Sequence, residues 1–459
     1  MTGSIRHAFT ALTLLISPML VAQQAGPLRA GAAQVDITPP KDMFPINIGA
    51  QILGGVHDPL LVHALVLDNG SSKIALISVD TTDMKGTAAV AVKAVSEELK
   101  IPSSHMSIAQ THDHNTPTGA NATPAYKAQM VKGIVEAARQ ANAKLQPARI
   151  GFGTGLAYVN TNRDEKIGDA YHMGYAPERP TDRTVAVMLV TNAAGEPIAV
   201  WSNYAVHGVV MFLAKTKDGK AEVTGDIGGA VAAYVEDRMK NVVEVWTMGA
   251  AGDQNPLFMS TYNQDAPDVH DEGEAGWAIL DVQARRLGEE IVRVANHIQN
   301  TTDKAVLWGA EATVSCPGRM RDPSAPPPAA PVPAPANGGT GSPTSSLLPG
   351  PPRPKMVDGP PVDIPLGLIM INDIALTNVS GEVFIEIEQK LKKESIFDRT
   401  AMITMSNGRV DYIPSENAYL LPSQMAVNNP IKPGCAEHEI VDAFLGLEKQ
   451  YLPIWTASQ

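Results

Sequence analysis

The chain has 459 residues, a formal net charge of −12 and an aromatic content of 5%. That length allows a large core, in one big or two ordinary domains. The acidic balance argues against long-range attraction to nucleic acid or an anionic membrane surface.

At the start, Arg6 and His7 precede an apolar run, 8–21, that is too short and too weak to span a membrane. With the small residues Ala22 and Ala25 it reads as an export signal over 1–26. The mature protein is then expected in the periplasm or outside the cell. The runs 61–67 and 73–79 are strand-like and are joined by the turn signal Asp68-Asn69-Gly70. A helix is expected over 87–100, ending before Pro102, then a strand over 106–111. Thr123 and Pro124 supply an N-cap and a first-turn proline for a helix reaching about Lys144. The segments 183–191 and 197–206 form a second hairpin-like pair around Asn192-Ala193-Ala194-Gly195. A helix over 227–239 and a strand over 242–247 follow. Leu280, Ala284, Leu287, Ile291, Val294 and Ile298 recur at spacings of four and three, an amphipathic helix.

This alternation predicts an α/β fold with mixed β-sheets flanked by helices. The stretch 317–365 is rich in Pro, Ala, Gly and Ser and reads as a flexible insertion within one large domain, 27–459. A strand-like run, 366–371, follows it. Neither a transmembrane helix nor an internal repeat is apparent. Cys316 and Cys435 do not have the spacing of a structural zinc motif; in an oxidising compartment they can form one disulfide.

The chemistry concentrates at element ends. Thr111-His112-Asp113-His114 directly follows the apolar run 106–109, and two imidazoles at i and i+2 on a strand end point to one side of the backbone. They can present two nitrogens to one metal, or one to a metal and one to a substrate. His207 also sits just past an apolar strand-like run. Asn160-Thr161-Asn162-Arg163 supplies a guanidinium. Thr224-Gly225-Asp226 precedes a helix, and the glycines of 249–256 let backbone approach a ligand closely. Asp226 and Asp253 can equally serve loop amides, and His57 and His63 read as ordinary surface or core histidines. Gly381-Glu382 and the tyrosines Tyr412 and Tyr419 follow late in the chain.

Taken in this order, the motifs resemble the neutral/alkaline non-lysosomal ceramidase family. Its Thr-His-Thr-His element corresponds to 111–114, its Asn-x-Asn-Arg to 160–163 and its Ala-Val-His-Gly to 205–208. Its Gly-Asp corresponds to 225–226, its Gly-Glu-Phe to Gly381-Glu382-Val383 and its late tyrosine pair to Tyr412 and Tyr419. The likeness runs from about Gly31 to Tyr419. It implies a zinc ion held by His112, His207, Glu382 and Tyr412, with His114, Arg163, Asn255 and Tyr419 lining the substrate site. Zinc lowers the pKa of a water and polarises a carbonyl. His114 then suits proton transfer and Arg163 suits a developing oxyanion. One element departs: the family's Gly-Asp-x-Ser-Pro reads Gly252-Asp253-Gln254-Asn255-Pro256, and asparagine cannot serve as a hydroxyl nucleophile. Attack then falls to metal-activated water, with Asn255 hydrogen-bonding the substrate.

The leading expectation is an exported zinc-dependent hydrolase of an amide bond in a small-molecule or lipid substrate, such as an N-acyl sphingolipid. A zinc hydrolase of an ester or saccharide-derived compound is the second reading. A metal-bearing binding protein without catalysis is the third.

Overall fold

A computed structural model describes residues 25–49, 51–117, 121–167, 170–261, 271–324, 354–421 and 423–459. The expected export signal lies almost wholly outside them. The strands are β1 (Arg29–Asp36), β2 (Leu61–Asp68), β3 (Lys73–Val79), β4 (Met106–Gln110), β5 (Gln146–Leu156), β6 (Asn160–Ile167), β7 (Ala170–Ala176), β8 (Thr184–Asn192), β9 (Pro197–Tyr204), β10 (Val243–Met248) and β11 (Gln254–Pro256). After them come β12 (Leu307–Arg321), β13 (Met356–Ile371), β14 (Ile374–Val379), β15 (Glu382–Val383), β16 (Arg399–Ile403) and β17 (Tyr412–Ile413). The principal helices are α1 (Ala88–Leu99), α2 (Pro124–Ala143), α3 (Asp226–Met239), α4 (Gly276–His297), α5 (Ile385–Glu394) and α6 (Ala436–Ser458).

The first two-thirds build an eight-stranded sheet in the order β10-β9-β8-β5-β1-β2-β3-β4. The last third builds a four-stranded sheet, β12-β13-β14-β16. The pairs β3–β4, β9–β10 and β14–β16 are parallel, whereas the hairpins β2–β3, β8–β9 and β12–β13 are antiparallel, so both sheets are mixed. The period-two pleat sorts the side chains. Val62, Ala64 and Val66 face Ala91, Val95, Ile134 and Ala138 of α1 and α2, while Leu65 and Leu67 face Ile369, Ile371 and Leu376 of the second sheet. Val187, Val200 and Trp246 pack on Leu287 and Ile291 of α4, and Leu366, Leu368 and Met402 pack on Phe444 and Leu447 of α6. The result is one domain of four layers, helices–sheet–sheet–helices. Burial on both faces explains why strands such as β2 read as unbroken apolar runs.

Most expected elements are present within a residue or two. The cap on α2 is as expected: the Thr123 hydroxyl accepts from the Tyr126 amide. Two findings differ from the sequence reading. Pro317–Arg321 and Met356–Pro365, expected in the loose insertion, belong to the hairpin β12–β13. Pro317 and the pair Pro360-Pro361 stand where the register slips by one residue between Cys316 and Gly318, and Pro365 precedes the stretch of β13 that pairs with β14. The middle of the insertion lies outside the described residues. The chain beyond 371, sparsely assigned from sequence, contributes β14 to β17, α5 and α6. Cys316 and Cys435 are bonded, fastening the start of α6 to β12.

Candidate active site

Site loops leave the carboxyl ends of parallel strands in both sheets, the place where α/β sheets put their ligands. After β4 the chain turns at once: His112 takes φ 61°, a left-handed conformation uncommon outside glycine. The strand ends at Gln110, one residue earlier than expected, and the His-x-His pair lies on a turn rather than in strand geometry. The side chains still converge, with Nε2 of His114 3.3 Å from Nε2 of His112. His207 follows β9, and the ligand nitrogens of all three imidazoles lie within 4.8 Å of one another.

Two glycines let the segments close up. A Cβ on Gly208 would stand 2.7 Å from the Asp113 Cα and 3.0 Å from the His112 carbonyl oxygen. Glycine there allows the His114 amide to donate to the Gly208 carbonyl at 2.9 Å. A Cβ on Gly252 would stand 2.6 Å from the Glu382 carbonyl oxygen.

The ring orientations are fixed from behind. His112 Nδ1 lies 2.7 Å from the Thr82 carbonyl, and His207 Nδ1 lies 2.6 Å from the Ala251 carbonyl. A carbonyl only accepts, so each Nδ1 carries the proton and each Nε2 keeps a lone pair. Both Nε2 atoms face the same carboxylate oxygen, Glu382 Oε2, at 3.3 Å. The three side chains are buried, and among the described residues neither His207 Nε2 nor Glu382 Oε2 has a hydrogen-bond partner. Electron pairs turned toward one another in a buried place repel unless a cation lies among them. This donor set, two nitrogens and one carboxylate oxygen, fits a zinc-like divalent ion and leaves coordination positions for other ligands.

Electrostatics agree with that fit. Burial lowers His207 to about 4 and holds His114 well below the usual imidazole range. Burial by itself would raise the Glu382 carboxyl; positive charge on the side of His112 and His207 outweighs it and holds the group well below the usual carboxylate range, and a bound cation would supply that charge with both rings neutral. Neutral imidazoles and an ionised carboxylate are the metal-binding forms. His114 differs from its neighbours. It is only half-buried, Phe212 packs edge-on against it at 5.0 Å, and no carbonyl braces its Nδ1 among the described residues.

The loop Gly249–Pro256 is clamped to the Glu382 segment at three points. The Gly252 amide donates to the Val383 carbonyl at 2.8 Å. The Ala250 amide donates to Glu388, whose other oxygen meets Lys392 at 2.7 Å. The Ile385 amide donates to Asp253 at 2.9 Å, and Asp253 also accepts from Asn162 at 2.7 Å. The same loop holds Arg163, which donates to the Gly252 carbonyl at 2.5 Å and to Asn255 Oδ1 at 3.3 Å. Among the described residues the Asn255 amide nitrogen has only the Met259 sulfur, at 3.5 Å.

Arg163 is thus buried in the site rather than paired with Asp164 or Glu165 on the surface. Tyr412 pairs in register with Glu382, and its ring lies 5.4 Å from the Arg163 guanidinium. Tyr419 is not brought to this group: its hydroxyl donates to the Ile431 carbonyl at 3.0 Å, and its ring carries Arg319. Asp226 serves the amides of Val210, Met211 and Ile227. His63 is a core histidine, and His57 stacks on Trp277 at the surface. Sequence reasoning missed Arg409, which reaches Glu382 Oε1 at 3.4 Å and Asp83 at 2.6 Å. Its only signal is a lone cation after the turn Asn407-Gly408, three residues before Tyr412.

The family description neutral/alkaline non-lysosomal ceramidase, N-terminal, matches residues 29–267. That stretch holds His112, His114, Arg163, His207 and Asn255, whereas Glu382 and Tyr412 lie beyond it. The neutral ceramidase of Pseudomonas aeruginosa is 28% identical over 232 residues, which span 45% of this chain and only 34% of that protein. The crystal structure of neutral ceramidase from Pseudomonas aeruginosa superposes with a TM-score of 0.68 at 16% identity, covering 92% of this chain and 75% of that one. A ceramidase complexed with C2 gives the same TM-score and identity, covering 92% and 76%.

Proposed function

The chain belongs to the neutral/alkaline non-lysosomal ceramidase family, and from that premise we propose that it is an exported, zinc-dependent hydrolase of an amide bond in an N-acyl lipid. The observation that carries this reading is the meeting of His112 Nε2 and His207 Nε2 at one oxygen of buried Glu382, each 3.3 Å away. Export is supported by the disulfide between Cys316 and Cys435, since such bonds persist in oxidising compartments.

A divalent ion held by His112, His207 and Glu382, with Tyr412 beside them, would supply Lewis acidity at the scissile carbonyl and a more acidic water. The chain's own groups do the rest. Arg163 is fixed by the Gly252 carbonyl and Asn255, so it offers a preorganised positive charge where an oxyanion develops. Asn255 spends its oxygen on Arg163 and turns its amide N–H groups toward substrate acceptors. His114, neutral and half-buried, takes a proton from the attacking water at Nε2 and passes it to the departing amine. Phe212 limits the swing of that ring.

The test is zinc content and turnover of wild type, His112→Ala and Glu382→Ala on an N-acyl sphingosine. Loss of zinc together with turnover in both variants is expected; turnover that persists in chelator-stripped wild type defeats the proposal. Asn255, standing where the family motif has serine, favours a second reading with the same ion but an ester or saccharide-derived substrate. Turnover of those compounds with none of the amide would select it.

A further inference from the structure

We propose that Arg409 is a positioning residue for Glu382, holding the carboxylate so that one oxygen alone, Oε2, is offered between His112 and His207; this rests on the metal-dependent reading above. The guanidinium is a planar fork. One tine, Nη2, reaches Glu382 Oε1 at 3.4 Å, and the other, Nη1, meets Asp83 Oδ2 at 2.6 Å. Asp83 directly follows Thr82, whose carbonyl orients the His112 ring. The fork therefore ties the loop that aims one ligand to the side chain of another.

Its base is equally fixed. The Asn407 side chain donates to the Met106 carbonyl at 2.9 Å and accepts from the Ile108 amide at 2.8 Å. Gln110 donates to the carbonyls of Met405 and Gly408 at 2.7 and 3.1 Å. The loop carrying Arg409 is thus bound to β4, the strand that leads into His112. A carboxylate free to rotate can give both oxygens to a cation and fill the position that a catalytic site keeps open. An arginine on Oε1 removes that option. Because Asp83 balances the guanidinium charge, orientation rather than repulsion of the ion dominates.

The experiment titrates metal-free full-length protein with Zn2+ against a chromophoric chelator and records the visible spectrum of the Co2+ form. Wild type, Arg409→Met, Arg409→Lys, Asp83→Asn and the Arg409→Met/Asp83→Asn double variant are compared, with circular dichroism to verify folding. Arg409→Met is expected to bind Zn2+ ~10–100-fold more weakly and to shift the Co2+ bands. Arg409→Lys should fall between it and wild type, and the double variant should be no worse than Arg409→Met. A folded Arg409→Met with wild-type affinity and an unchanged Co2+ spectrum overturns the proposal and leaves the hydrolase reading standing. If Arg409→Met does not fold, Arg409→Lys and Asp83→Asn carry the same test, with wild-type affinity in both as the overturning result. A wild type that takes up no Zn2+ overturns both readings.

Discussion

His207 and Glu382 meet nitrogen to oxygen at 3.3 Å with no hydrogen-bond donor for either atom among the described residues. In Glu382→Gln the amide can donate to an imidazole nitrogen, which relieves the contact without any cation. Metal-free Glu382→Gln is therefore expected to melt higher at pH 8 than metal-free wild type. Added Zn2+ should raise the melting temperature of wild type only, through mass action on the folded state. Equal melting of the two metal-free proteins, followed by equal responses to Zn2+ in calorimetry, would contradict the arrangement.

His114 stands beside the three buried groups but lacks their bracing. His114→Gln should keep full zinc content and lose ~100–10,000-fold in kcat, the range of a general acid–base group. Zinc analysis alongside steady-state kinetics separates this from the loss of a ligand, in which metal and rate would fall together.

Asp253 connects the Ile385 amide to Asn162. Asp253→Ala leaves that buried amide without its acceptor and should cost about 1–3 kcal/mol in urea denaturation. Because the same loop fixes Arg163, kcat should fall as well. Asp253→Asn, which can still accept through one oxygen, should recover most of the stability.

Glu236 and His63 face each other at 3.4 Å, with the Glu244 amide donating to the same carboxylate oxygen of Glu236 at 3.1 Å. Burial raises Glu236 to about 7 and lowers His63 to about 4. Between pH 4.5 and 7 the folded state keeps a proton on Glu236 that the unfolded chain releases, so this group's contribution falls as pH rises. Between pH 6.5 and 4 the unfolded chain protonates His63 while the folded state resists, so that contribution falls as pH drops. The two slopes oppose. Relative to wild type, Glu236→Gln should gain stability as pH rises through 4.5–7, and His63→Asn should gain it as pH falls through 6.5–4. Denaturation curves at several pH values read both trends; parallel wild-type and variant profiles would exclude them.

The disulfide joins residues separated by 119 positions. The Cys316→Ser/Cys435→Ser double variant should lose about 2–5 kcal/mol, chiefly because a long loop is released in the unfolded chain. Zinc binding by the folded fraction should survive, since the bond lies on the α6 side of the second sheet.

What was legible in the sequence follows from its physics. His112, His207 and Arg163 each stand where an apolar run gives way to polar residues, and that boundary is visible in a single sequence. Six strands of the eight-stranded sheet, β2, β3, β4, β8, β9 and β10, were readable because strands covered on both faces leave unbroken apolar stretches, whereas β1 and β5, with their small and polar residues, were not assigned. The second sheet was less so: β12 and β13 are interrupted by Pro317, Pro360 and Pro361, which suggested a loose excursion. Ile440, Val441, Phe444, Leu447 and Tyr451 line the buried side of α6 at helical spacing, yet nothing local names the sheet they cover. Glu382 and Tyr412 were placed only through resemblance. Arg409 escaped because its partners, Asp83 and Glu382, come from opposite ends of the chain and are joined by topology alone.

The proposed ligands are divided between the two sheets, and that division sets an order of assembly. A growing polypeptide that has emerged only as far as α4 already owns both imidazoles but not the acid that completes their grip. On the proposed metal-dependent reading, tight capture of an ion would wait for the final third of translation, and loading would be a late event in maturation.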